Sequence, residues 1–77
     1  MEENIQSSFG KTVRRLRELS GFSQESFADK CKLHRTYVSD VELGKRNVSL
    51  ENIEKISHAL NMSISKLFME VEKNESI

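Results

Sequence analysis

The side chains best placed to do chemistry lie between Arg35 and Asn47, in the run Arg-Thr-Tyr-Val-Ser-Asp-Val-Glu-Leu-Gly-Lys-Arg-Asn. On a helix, Val38 and Val41 share one side at i, i+3, while Arg35, Thr36, Ser39 and Asp40 share another. The first side docks. The second carries a guanidinium fork, two hydroxyls and a carboxylate, the donors and acceptors that read base edges. Other chemistries find less support. Cys31 and His34 are close in sequence, but a structural zinc takes four ligands and a thiol nucleophile needs an ordered base in a cleft. No glycine loop suits nucleotide phosphates, no spaced carboxylates suggest hydrolysis, and His58 has no partner that the sequence names. The expectation is a binding protein rather than an enzyme, with no metal, cofactor or small-molecule ligand.

Two short helices must position those residues. Gln24-Glu25-Ser26-Phe27-Ala28-Asp29-Lys30-Cys31 forms the first, and only Lys32-Leu33-His34 separates it from the helix that begins at Arg35. So short a connection makes a sharp corner, and the unit reads as a helix-turn-helix.

The chain has 77 residues, enough for one domain spanning 1–77. A domain of this size buries only about 60% of its unfolded surface, so a partner subunit would add needed stability. No proline, three glycines and many helix formers point to an all-α fold. One cysteine forms no internal disulfide, and no apolar run approaches the roughly 20 residues of a membrane span. The acidic start, Met1-Glu2-Glu3-Asn4, is unlike a secretory signal, so a cytoplasmic protein is expected. The net charge of zero hides an asymmetry. Between Gly10 and Asn47 there are nine Lys and Arg against five Asp and Glu, and the remainder carries the opposite excess. The positive field belongs to the segment holding the two-helix unit, as a nucleic-acid partner requires; a merely solvated face is the alternative.

Helices are expected over about 7–20, 24–31, 35–43, 50–60 and 64–71. In the first, Ile5, Phe9, Val13 and Leu16 recur at helical spacing, with residues before Gln6 frayed and Gly21 as a left-handed stop. Four starts share a device: Phe22-Ser23, Leu33-His34, Val48-Ser49 and Met62-Ser63 each place an apolar residue before a capping position. Phe27, Val38, Ile53 and Leu67 follow at the spacing of a hydrophobic staple. His34 is the unusual cap. The fourth helix buries Leu50, Ile53, Ile56 and Leu60 and ends at Asn61. The fifth carries Ile64, Leu67, Phe68 and Val71 on one side, and 72–77 is a polar, disordered tail. Phe68 beside Met69 is costly to leave in water, so Ile64, Leu67, Phe68 and Val71 are expected to form a two-fold interface in a homodimer; capping the monomer core is the alternative.

Ser23-Gln24-Glu25-x-Phe27-Ala28, then Tyr37-Val38-Ser39, then Glu42-x-Gly44 resembles the helix-turn-helix domain of the lambda-repressor-like (XRE) family, over nearly the whole chain. Arg35 to Ser39 with Glu42-x-Gly44-Lys45-Arg46-Asn47 most resembles the controller proteins of bacterial restriction-modification systems. The resemblance implies a compact five-helix fold and a dimeric transcription regulator of palindromic double-stranded DNA operators. A phage or plasmid repressor is the rival in the same class, and a protein-docking module without DNA binding is the rival outside it.

By that resemblance Gln24 reaches a phosphate from the start of its helix, and Arg35 and Thr36 open the recognition helix, with Arg35 forking onto a guanine. Ser39 and Asp40 touch neighbouring bases. Asp40 either accepts from a cytosine amine or holds an arginine such as Arg35. Tyr37 either donates to a phosphate or packs. Lys45, Arg46 and Asn47 follow the DNA backbone, enter a groove, or form a solvated loop. Arg17 and Glu42 form a structural ion pair, and Ala28 keeps two helices close. Lys32 stands where many family members have glycine, which places strain at the corner. RNA polymerase is a further expected partner, with acidic residues such as Glu25 as the candidate surface. No membrane is involved.

Overall fold

The computed structural model describes residues 4–75, with side chains to residue 73. Five helices follow in order: α1 Ile5–Leu19, α2 Gln24–Cys31, α3 Arg35–Glu42, α4 Leu50–Ala59 and α5 Ile64–Glu75. No strand occurs among the described residues.

The starts are fixed by side-chain acceptors. Ser23 and Ser26 form a reciprocal capping box at α2. Ser49 accepts from the Asn52 N–H at α4, and Ser63 accepts from the Lys66 N–H at α5. Phe22 packs on Phe27 with ring centroids 5.8 Å apart, and Leu33, Val48, Ile53 and Met62 all lie against the core. The stapled starts are thereby seated. At α1 the cap is Asn4, whose side chain accepts from the Ser7 N–H at 2.9 Å, so the chain is helical from Ile5; the fraying expected at residues 1–3 lies outside the described part.

Two ends use left-handed backbone without glycine: Lys32 at φ 60° and Asn61 at φ 59°. Asparagine tolerates this region; lysine carries about 1–2 kcal/mol of local strain there. The corner between α2 and α3 accepts that strain because Lys32 and Leu33 donate their N–H groups to Asp29 and Ala28 carbonyls.

α1 lies against α3 and α5, and α2 against α3 and α4. Phe9, Val13, Phe27, Val38, Val41, Ile56, Leu67 and Val71 fill the centre. Ala28 is 2% exposed, where α2 meets its neighbours. Three residues of the expected apolar stripes lie outside: Ile5 is 52%, Leu50 82% and Ile64 41% exposed. Each is the first residue of its helix, before the chain has turned onto its buried side.

Leu67 and Val71 are fully buried within this one chain, which corrects their assignment to a partner-facing surface. The reason is the length of α5, which passes across α1 and stacks Phe68 on Phe9 at 5.6 Å. The expected disordered tail is also corrected over 72–75, which continue α5; residues 76 and 77 lie outside the described part. The last turns of α5 are held by charge. Glu70 bonds Arg15 of α1 at 2.9 Å and Lys73 at 3.2 Å.

Two glycines permit the close approach of α1 to the end of α3. A Cβ on Gly10 would overlap the Val41 carbonyl oxygen and lie 2.8 Å from that of Glu42, and one on Gly44, at φ +78°, would lie 2.9 Å from the Ser7 Oγ. At Gly10 the obstacle is backbone, which has no rotamer to escape into. Gly10→Ala should therefore lower the urea midpoint, its overpacking cost reaching the upper end of about 1–3 kcal/mol and outweighing the roughly 1 kcal/mol of helix propensity gained. An unchanged midpoint would show that the helices do not touch here.

Arg15 and then Lys73 hold the Glu70 carboxyl below the usual carboxylate range. A depressed folded-state pKa contributes stability above the unfolded value, and this is lost as pH falls through the folded one. Glu70→Gln should lower the melting temperature at neutral pH and leave it nearly unchanged in acid. Equal shifts at both pH values would show that the charge is irrelevant.

Candidate nucleic-acid interface

The recognition side of α3 is set by what holds its other end. Glu42 closes the helix with its side chain 2% exposed. Arg17 of α1 reaches it with Nε at 2.7 Å and Nη2 at 3.1 Å, and Gln24 of α2 adds Nε2 at 3.0 Å. The remaining Arg17 nitrogen, Nη1, donates to the Phe22 carbonyl at 2.8 Å. One carboxylate thus receives three N–H donors from two other helices. The hydrogen bond that Arg17 donates to Glu42 raises the Arg17 pKa above its ordinary value, against the opposing effect of burial.

With its C-terminal end fixed, α3 turns Arg35, Thr36 and Ser39 toward the start of α2. These three and Gln24 line one open concavity. The structure therefore gathers four residues picked from sequence. Arg35 and Thr36 are exposed, and the Arg35 side chain makes no hydrogen bond or ion pair with any described residue. The start of the helix is capped by His34, whose Nδ1 accepts from the Thr36 N–H at 3.2 Å. Gln24 has a role that the sequence did not announce, since its amide holds Glu42.

Asp40 holds an arginine, but not the candidate that the sequence offered. It pairs with Arg46, at 3.3 Å to Nη2 and 3.4 Å to Nε, and not with Arg35. Five residues along a helix place Arg35 and Asp40 about 140° apart around its axis. The left-handed turn at Gly44 instead brings the chain back beside α3, and the Lys45 N–H donates to the Asp40 carbonyl. Arg46 also lies 5.1 Å from the Tyr37 ring centroid. Tyr37 packs on the core, and its hydroxyl accepts from Asn52 Nδ2 at 3.0 Å. Lys45 and Asn47 are exposed. Asn47 borders a different depression, together with Arg46, Ile5, Phe9, Val48, Ile53 and Phe68.

Sequence reasoning passed over Gly10 and Asn52. An isolated glycine inside a helical stripe is a signal of close backbone approach. Asn52 gave none, since nothing in its neighbourhood marks a contact to α3. Cys31 is buried, and desolvation pushes its thiol up to about 11, far from the range of a nucleophile. No cluster of three or more metal-ligating side chains occurs among the described residues, nor is any described helix long and apolar enough to cross a membrane.

The profile of the helix-turn-helix family matches residues 13–67, a span that takes in α2 and α3 with most of the surrounding core. The chain is 57% identical over 63 residues to control protein C.BamHI of Bacillus amyloliquefaciens, covering 80% of this chain and 78% of that one. The chain belongs to the helix-turn-helix family, among the restriction-modification controller proteins. It is also 51% identical over 71 residues to control protein C.MunI of a Mycoplasma species, covering 91% and 96% of the two chains. A crystal structure of the controller protein C.Esp1396I, a tetramer in complex with its natural 35 base-pair operator, superposes with a TM-score of 0.87 at 30% identity, covering 96% of this chain and 97% of that one. The family is one of DNA-binding transcription regulators, which is not a class of enzyme.

Removing one member of the controller's buried pair leaves the other charged and unpaired. Arg17→Met should cost about 3–5 kcal/mol, and the double variant Arg17→Met, Glu42→Leu should recover most of the loss. Chemical denaturation of the two variants measures both; a mild single-variant effect would mean that water reaches Glu42.

Proposed function

We propose that this chain controls transcription as a cytoplasmic homodimer that reads a palindromic operator with α3. The observation that carries the proposal is the shared concavity of Gln24, Arg35, Thr36 and Ser39, with the Arg35 fork unengaged at its edge. A guanine offers O6 and N7 to such a fork, while Thr36 and Ser39 supply hydroxyls for adjoining edges. Gln24 approaches a phosphate with its free amide N–H, and its position at the start of α2 fixes register. Asp40 acts mainly by restraining Arg46, and Lys45, Arg46 and Asn47 follow the DNA backbone beyond the concavity.

Homodimerisation is supported by the apolar surface that one chain leaves open. Ile64 is 41% and Met69 53% exposed, and Phe68 borders the depression formed with Ile5, Val48 and Ile53. Two copies joined there would present two α3 helices about one DNA turn, roughly 34 Å, apart. Each dimer would then contact two half-sites and release twice the counterions. Exposed Glu25 on α2 is the surface we assign to RNA polymerase.

A salt-titrated gel shift on the DNA upstream of the controller's own coding sequence tests the reading. Arg35→Ala should lose about 1–3 kcal/mol on that DNA and little on random duplex. If both proteins bind every sequence alike, α3 does not read bases and a protein-docking role takes its place.

A further inference from the structure

We infer that Asn52 is a positioning residue that acts on DNA through the Tyr37 hydroxyl. The inference rests on the proposed reading of this face as DNA-binding and adds to it that Tyr37, besides packing on the core, donates to a phosphate. Asn52 lies in the first turn of α4 and is half-buried. Its backbone N–H is already taken by Ser49 Oγ at 3.2 Å, and its side-chain Nδ2 crosses to Tyr37 on α3 at 3.0 Å. The ring is also braced from its face, since the Arg46 guanidinium lies 5.1 Å from the centroid and is itself paired with Asp40.

The direction of the bond is what matters. A phenol has one proton, held near the ring plane on one side or the other of the C–O axis. Where an amide N–H arrives, the oxygen accepts, so its own proton turns the other way. Tyr37 is thereby left as a donor toward whatever lies beyond Asn52. Phosphate oxygens only accept, so a hydroxyl set in this way matches a DNA backbone. If the neighbour took the proton instead, the hydroxyl would present lone pairs to the phosphate. A bond that merely tied α3 to α4 would work equally well in either direction.

Asn52→Asp reverses the bond while keeping a link, because a carboxylate accepts from the tyrosine. Four proteins are compared: the unaltered chain, Tyr37→Phe, Asn52→Asp and the double variant. Each is titrated by fluorescence anisotropy against a random-sequence DNA duplex at one low salt concentration, with melting temperatures recorded in parallel. The added negative charge weakens binding in both the tyrosine and the phenylalanine background, so the ratio of the two effects isolates the hydroxyl. Tyr37→Phe should weaken binding about 10- to 100-fold, the worth of one hydrogen bond to a charged group. Asn52→Asp should then weaken binding by a similar extra factor only where Tyr37 is present, with the melting temperature held.

Equal loss in the two backgrounds overturns the inference, since Asn52 would not be acting through the hydroxyl. Unaltered binding by Tyr37→Phe overturns it together with the phosphate contact. If the unaltered chain fails to bind duplex DNA, the functional reading itself is what fails. Should Asn52→Asp not fold, Asn52→Ala replaces it. Lost preorganisation then weakens binding about 2- to 3-fold with Tyr37 and not with phenylalanine, and an equal loss in both again overturns the inference.

Discussion

Everything on the DNA-facing side depends on one buried carboxylate. Glu42 is the last residue of α3 and draws Arg17 from α1 and Gln24 from α2 onto itself. Removing so many charged and polar groups from water is costly, and the arrangement is tolerable because each oxygen of the carboxylate meets a donor. What it specifies is angle. α3 has eight residues and would have little helical stability alone, so its direction is set by neighbours. Gly10 completes the constraint, since only a residue without Cβ lets α1 come this close to the backbone at the end of α3.

Much of this was legible because local signals and tertiary structure agree. Each helix start carries its own acceptor, and each apolar residue of a staple met the core, so the existence and order of the helices followed from spacing. Arg17 and Glu42 were paired through a resemblance, and the geometry shows why such a pairing exists. What spacing did not supply was anything that depends on how a loop returns. Asp40 holds an arginine, but where Arg35 was the candidate the partner comes from beyond the turn at Gly44. Asn52 meets Tyr37 across fifteen residues of sequence, and no periodicity marks it.

The assignment of Leu67 and Val71 to a dimer surface has the same origin. An apolar side on the last helix looks like surplus until the volume it fills is known. Phe9 and Val13 of α1 need a lid, and Leu67 and Val71 are that lid. In a domain this small the last helix serves the monomer first, and only its outer residues, Ile64 and Met69 with part of Phe68, remain to meet a second copy. In the proposed dimer, monomer folding and assembly are thus linked through one helix, held to α1 by aromatic stacking and by the Arg15 to Glu70 contact.

Cys31 gives the molecule a built-in clock. The single thiol lies beneath α2 at 2% exposure, close to the strained turn at Lys32. While the two-helix unit is closed, burial keeps it in the unreactive, protonated form. An alkylating reagent reaches it only when that part of the fold opens, so the labelling rate counts openings of the unit that faces DNA. Bound DNA would slow that clock, making the rate at a single sulfur a measure of how firmly the helix pair is held closed.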